Sequence, residues 1–284
     1  MTDPAAIKFD LHCHSTASDG SLPPNQLVQR AYRFGVTHLS ITDHDTVAAY
    51  SQIDPQECPL TLIPGIELST TWRKRGVHIV GLGIDLNSPA IAEAVTAQTR
   101  ARQQRAERIA SKLSKAGLNC PLQEIVKIAN GSQLGRPHFA QYLVSTNQVA
   151  NTQQAFKKYL GDGKPGDAKQ HWATMEQVIH WIRASGGIAV LAHPLKYKLT
   201  RTKLLQLLDD FKALGGEAME VASGKQVPSD TQAMMAACQQ TGLLASCGSD
   251  FHHPDTHWAE IGQYAHLPDS ENTVFSRLQN MGFG

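Results

Sequence analysis

The chain of 284 residues has no C-x-x-C pair; its five cysteines, Cys13, Cys58, Cys120, Cys238 and Cys247, are scattered and odd in number. That pattern argues against a disulfide framework or a thiolate zinc site and points to a reducing compartment. No apolar run approaches the roughly 20 residues that a membrane-spanning helix requires. The opening MTDPAAIKFD has neither a basic stretch nor an apolar one, so no secretory leader is read and a cytoplasmic location is expected. Internal repeats and low-complexity tracts are also missing. Net charge is only +1, and a hydrophobic content of 41% with 18% charged residues is ordinary for a folded protein. The length allows one large domain or two smaller ones around a substantial core.

The small net charge hides a segregation. Residues 96–166 carry 11 Lys and Arg against 3 Asp and Glu, a net of +8, and the remainder carries −7. A basic segment beside a carboxylate-rich body suits an anionic ligand. A solvated basic helix would look the same, and Arg100 and Arg108 are assigned that role.

Seven apolar, β-branched runs end in polar residues: 7–14, 37–44, 60–69, 77–84, 186–194, 218–224 and 243–252. Helical patterns over 24–34, 175–184, 204–214 and 229–241 lie between many of them, and glycine closes several. This alternation predicts an α/β fold with a mostly parallel sheet. Residues 96–166 break the rhythm with a long helix, two or three shorter helices and no strand candidate. They are read as a helical insertion between 1–95 and 167–284.

Metal-capable side chains fall where the runs end. DLHCH supplies His12 and His14, which share one face of a strand because side chains alternate, while Cys13 packs behind. Asp19 follows on the next loop. ITDHD contributes His44, GIELS Glu67, LAHP His193, and GSDFH both Asp250 and His252. His78 begins its run, so it alone does not stand where a run ends. Two histidines alone could be ordinary polar residues at a strand end. Nine such groups, converging if the strands form a barrel, exceed what one catalytic ion uses and imply two or three ions. A mixed nitrogen and oxygen set suits Zn²⁺, Mn²⁺ or Fe better than an oxygen-only Ca²⁺ or Mg²⁺ cage.

The segments DLHCHSTASDG, ITDHD, PGIELS, VHIVGLGID, AHP and GSDFH resemble the PHP (polymerase and histidinol phosphatase) family over nearly the whole chain. The helical insertion looks most similar to the branch that hydrolyses 3′,5′-bisphosphate nucleotides and includes 5′-to-3′ exoribonucleases. The resemblance implies a distorted (β/α)7 TIM-like barrel with a trinuclear site, commonly manganese, with Zn²⁺ or Fe²⁺ as alternatives. His12, His14, Glu67 and Asp250 would hold one ion, Glu67 with His78 and His193 a second, and Asp19, His44 and His252 the third. Glu67, His193 and Asp250 would be catalytic, around a metal-bridged hydroxide that attacks phosphorus without a Ser or Cys nucleophile.

On the same resemblance, Arg102, Arg105, Arg136 and His138 of the insertion, with Asp19, Lys196 and Tyr197 of the body, would bind substrate. The arginines would clamp a 5′-phosphate, since a guanidinium can donate two hydrogen bonds to one phosphate. The insertion would thus be a substrate cap. Expected partners are 3′,5′-nucleotide bisphosphates or short 5′-phosphorylated RNA, with no membrane and no obligate protein partner. Two positions depart from the family pattern: Leu195 stands where relatives often carry glycine, and Asp167 where an aromatic is common. Both bear on substrate preference. Trp172, Trp181 and Trp258 could stack on bases, but are read as core or interface. The competing readings are a histidinol-phosphate phosphatase, which needs no 5′-phosphate clamp, and an amidohydrolase, which would leave Asp19 and His44 idle. A nucleic-acid-binding module with structural metals would need fewer ligands.

Overall fold

The computed structural model describes residues 7–168, 171–256, 259–265 and 272–284, so Trp258 lies outside the described residues. The chain divides into two compact units, Met1–Val95 with Ala173–Gly284, and Thr96–Trp172.

The first unit is α/β. Strands β1 (Phe9–Cys13) and β2 (His38–Ile41) pair in parallel, and the short β3 (Thr61–Leu62) adds in parallel to β2. A second sheet runs in the order β4 (Gly65–Trp72), β5 (Arg75–Leu82), β6 (Ile188–Leu191), β7 (Ala218–Ser223) and β8 (Leu244–Gly248). Two parallel bridges, Cys13 with Phe251 and His44 with Glu67, join the sheets. At the first seam His14 N donates to Phe251 O at 2.9 Å and Asp250 N to His12 O at 2.8 Å. Gly248 permits this approach, because a Cβ there would stand 2.5 Å from His12 Cβ and 2.6 Å from its nitrogen.

The expectation of a mostly parallel sheet needs a correction at β5, which is antiparallel to both β4 and β6. Arg73 and Lys74, with φ of 46° and 71°, form the two-residue turn between β4 and β5. Such a turn matches strand twist and is far too short for a parallel crossover. Its consequence is functional. The start of β5 lies beside the polar-ended rim of its neighbours, and His78 pairs with Ser69 in the β4–β5 register.

Helices α1 (Pro24–Arg33), α6 (Met175–Ala184), α7 (Arg201–Ala213), α8 (Pro228–Thr241) and α9 (Val274–Asn280) complete this unit. Thr174 and Thr200 cap α6 and α7 by accepting from Gln177 N and Lys203 N, satisfying donors that a helix start leaves open. Leu27, Val28 and Ala31 of α1 pack with Leu39 and Ile41 of β2. Helix α9 has no counterpart in the sequence reading; its Val274 and Leu278 pack with Phe9, Leu11 and Ile188. Trp181 is core, 3% exposed.

The second unit is helical, with no strand among its described residues. Helix α2 (Pro89–Lys115) runs into it, followed by α3 (Leu122–Ala129), α4 (Arg136–Ser145), α5 (Thr152–Ala155) and a π-helical turn, Phe156–Leu160. Ile109, Leu113, Ile125, Phe139, Leu143 and Leu160 give it a core of its own. The unit ends at Trp172, past the 166/167 boundary expected from sequence, because Ala168 joins that core and the Trp172 ring faces Arg102 and Arg105. Among the described residues no helix is long and apolar enough to cross a membrane. All five cysteines are free thiols, and Cys13 is buried with its sulfur on Ser40 O.

Candidate metal centre

His12 and His14 lie on one side of the β1 terminus, both fully buried, with their Nε2 atoms 3.1 Å apart. The stretch after β2 is held by two carboxylates flanking His44. Asp43 accepts from Ser15 N at 2.8 Å and from the Ser15 and Ser18 hydroxyls at 2.6 Å. Asp45 accepts from Ser69 N and Oγ at 2.7 and 2.8 Å. His44, fixed between them, brings Nδ1 to 2.7 Å from Glu67 Oε2.

Glu67 is the hub. Its Oε1 stands 2.9 Å from His78 Nδ1 and 3.0 Å from His193 Nε2. Its Oε2 stands 3.5 and 3.4 Å from the Nε2 atoms of His12 and His14. Asp250 Oδ1 is 3.6 Å from His12, 3.4 Å from His14 and 3.5 Å from His252. Asp19 lies 3.4 Å from His252, 3.8 Å from His44 and 3.9 Å from His14. All nine residues singled out as ligands therefore meet at one rim. His78 is among them because its strand is antiparallel.

Donor atoms fall into four overlapping groups, each within 4.8 Å: His14, Asp19, His44 and His252; His12, His193 and Asp250; His12, His14 and Glu67; His44, Glu67 and His78. His193, Asp45 and Asp250 hold positive φ angles of 29°, 55° and 53°. Backbone strain of this kind, about 1–3 kcal/mol per residue, persists where the surroundings over-determine it and is frequent at functional sites. The donor set fits divalent cations. Six imidazoles and three carboxylates converge here, and the buried Nδ1 of His14 makes no hydrogen bond among the described residues. Neutral imidazoles and ionised carboxylates are the forms that bind metal.

Electrostatics pull most of the cluster toward those forms. Burial would raise the carboxyl of Glu67, but the adjacent His44, His78 and His12 hold it well below its usual range. Asp250 is likewise depressed against burial, by Lys196 and His12, and Asp19 by His44 and His252. Burial, reinforced by the charge of His252, lowers His14 to about 3. His252 and His12 oppose the trend: burial disfavours their charge, yet Asp19 and Asp250 raise His252 to about 9, and Glu220, Glu67 and Asp250 raise His12 well above its ordinary value. Without a cation, their protons offset part of the carboxylate charge.

The residues expected at the substrate are arranged differently. Lys196 follows His193 on a short 3₁₀ turn, Pro194–Tyr197, and its ammonium pairs with Asp250 Oδ2. Leu195 is half-buried on the same turn. Tyr197 turns inward, its hydroxyl accepting from His78 N at 2.8 Å and its ring standing edge-on to His193. In the helical unit the guanidinium carbons of Arg102 and Arg105 lie 5.4 and 5.7 Å from the Trp172 ring, and both side chains are largely buried. Arg136 donates to Leu160 O at 3.1 Å and pairs with the exposed Asp162 at 3.3 Å. His138 is buried, with Nδ1 accepting from Gly135 N at the start of α4 and Nε2 beside Ser132 Oγ. The Asp167 carboxylate accepts from Gly163 N, closing its own loop.

Sequence reading passed over Asp43 and Asp45, which flank His44, and two further buried carboxylates. Asp10 accepts from Ser249 N at 2.9 Å and Gly262 N at 2.6 Å, fastening β1 to the segment after β8. Glu220, in the middle of β7, reaches His12 Nδ1. Both were visible as acidic residues inside apolar runs, KFDLH and AMEVAS, where burial demands hydrogen-bond partners.

Comparison with known proteins agrees with this geometry. The PHP domain model matches residues 10–180. A 5′-3′ exoribonuclease of Haemophilus influenzae is 43% identical over 95% of this chain and 99% of its own length. A 3′,5′-nucleoside bisphosphate phosphatase of Chromobacterium violaceum is 36% identical over 95% of this chain and 96% of its own. A solved structure described as an amidohydrolase from Chromobacterium violaceum, with bound sulfate and no metal, superposes with a TM-score of 0.88. It is 34% identical, with 97% of each chain covered.

Proposed function

The chain belongs to the PHP domain family, and from that premise we propose that it is a metal-dependent phosphoesterase acting on 5′-phosphorylated nucleotides. The observation that carries this reading is the gathering of nine donors at one rim, the buried Glu67 among them. His12, His14, Glu67 and Asp250 would hold one ion, Glu67, His78 and His193 a second, and Asp19, His44 and His252 a third. Two or three divalent cations, manganese or else zinc or iron, would supply charge for the phosphoryl oxygens and acidify the attacking water. The fold we infer for the first unit is a distorted seven-stranded (β/α) barrel, with β3 and β4 as one interrupted strand; the two bridged seams support closure.

The chain's own residues would do the rest. Asp43 and Asp45 hold His44, and Tyr197 holds the backbone of His78, so the donors need little rearrangement. Lys196 adds a fixed positive charge at the rim beside Asp250. In the helical unit, Arg102, Arg105 and Arg136 would bind the 5′-phosphate, with His138 capping the helix that presents Arg136. A terminal 3′-phosphate would leave as inorganic phosphate, giving a 5′-mononucleotide. Where the 3′-phosphate joins a further nucleotide, the same cleavage would release a 5′-mononucleotide and expose the next 5′-phosphate. The bisphosphatase and exoribonuclease activities named for the relatives are then one reaction, in which the 3′-oxygen of the 5′-mononucleotide leaves each time and only the substituent that stays on phosphorus differs. Asp19 and His44, which an amidohydrolase would leave idle, lie within the cluster.

A substrate panel tests the proposal. With Mn²⁺, adenosine 3′,5′-bisphosphate and short 5′-phosphorylated RNA should be turned over and histidinol phosphate should not. Turnover of histidinol phosphate with none of the nucleotides would overturn it.

A further inference from the structure

Glu220 sits at 2% exposure in the middle of β7, a carboxylate in an apolar strand. Its two oxygens face ligands from two other strands. Oε1 is 2.6 Å from His12 Nδ1, and Oε2 accepts from the backbone nitrogen of His193 at 2.6 Å. The pairing of β7 with β8 slips between Glu220 and Ala222. Bulges of this kind re-aim side chains beside active sites. His12 meanwhile turns its other nitrogen, Nε2, toward Glu67, His14 and Asp250.

We propose that Glu220 is a positioning residue that keeps the proton of His12 on Nδ1, so that Nε2 offers its lone pair to a cation, and ties that ring to the His193 turn. The proposal rests on the metal-dependent reading above and adds to it a residue outside the donor set. The argument is one of donors and acceptors. A carboxylate only accepts, so the ring nitrogen facing Oε1 must carry a hydrogen. In neutral imidazole that leaves Nε2 as the acceptor, the atom aimed into the cluster. A carboxylate behind a metal-binding histidine fixes its tautomer and orientation, and losing it costs about 10- to 100-fold in metal affinity or activity.

The substitution Glu220→Gln isolates this role, since it preserves size and removes one acceptor. The His193 N–H can only donate, so it claims the amide oxygen. The amide NH₂ then faces His12 Nδ1 and favours the tautomer with its proton on Nε2, the wrong atom for binding.

Two readouts on the folded full-length protein test this. The first needs no metal: nitrogen NMR of the imidazoles, recorded at a pH high enough that the His12 ring is neutral, should find Nδ1 protonated in the parent chain and unprotonated in Glu220→Gln. The second is a titration with Mn²⁺ alone, in which Glu220→Gln should bind about 10- to 100-fold more weakly and Glu220→Asp, which keeps two acceptors, should recover part of the loss. A His12 Nδ1 still protonated in Glu220→Gln, or Mn²⁺ affinity equal to the parent's, would overturn the proposal. So would a Glu220→Gln chain that fails to fold while Glu220→Asp binds no better, because Glu220 would then be a packing residue. A parent chain that takes up no divalent ion, with the expected NMR result intact, would instead sink the metal-dependent reading and leave the tautomer assignment standing.

Discussion

The rim of the α/β unit and the arginines of the helical unit use charged side chains in opposite ways. At the rim, backbone geometry fixes each donor: His12 and His14 by strand alternation, His44 by flanking carboxylates, and Asp250 by the bond from its nitrogen to His12 O. Nine polar groups are concentrated in one place, where His252 and Lys196 offset part of the carboxylate charge. In the helical unit, Arg102, Arg105 and Arg136 rest on aromatic rings and carbonyl oxygens. Their guanidiniums are held by these contacts, and that of Arg136 also pairs with Asp162. On the proposed function, the first arrangement would specify the chemistry and the second which molecule is treated.

Substitutions separate the two. Asp250→Ala or His193→Ala should reduce kcat by about 10³-fold or more, the equivalent of roughly 4 kcal/mol of lost charge stabilisation, with the fold retained by circular dichroism. A variant near parental activity would break the comparison on the rim's side. Gly248→Ala should come next. Its new methyl meets the His12 backbone, so β8 must move from β1, with about 1–3 kcal/mol of stability lost in denaturant unfolding and activity reduced with it. Unchanged stability would mean that the seam is looser than its bonds indicate. Arg136→Ala should have the smallest effect: KM for 5′-phosphorylated substrates raised about tenfold, the worth of one charge-assisted hydrogen bond, with kcat little changed. An equal rise for substrates lacking the 5′-phosphate would remove the clamp from the account.

The sequence exposed the rim better than its support. Every donor but His78 stood at or near the end of an apolar run, and strand alternation with polar termination is a local signal that survives folding. The direction of His78 was hidden because the β4–β5 turn is Arg73–Lys74, without the Asn-Gly or Asp-Gly signature that marks a two-residue hairpin. Helix α9 is only seven residues, too short for a periodic pattern to stand out. Glu220 and Asp10 were legible as anomalies inside strands, but their partners lie 208 and 239 residues away along the chain, a pairing that only the fold supplies. Tyr197, expected at the substrate, is buried with its hydroxyl on the His78 nitrogen, a pairing across 119 residues that only the fold supplies.

The most direct measurement of the central claim is elemental analysis of the purified, dialysed protein alongside a Glu67→Ala variant shown to be folded. The account predicts two or three divalent ions per parent chain and a sharp loss of them in the variant, since every proposed ion but one uses Glu67. A parent chain free of bound metal after reconstitution, or a variant that keeps the full complement, would contradict it.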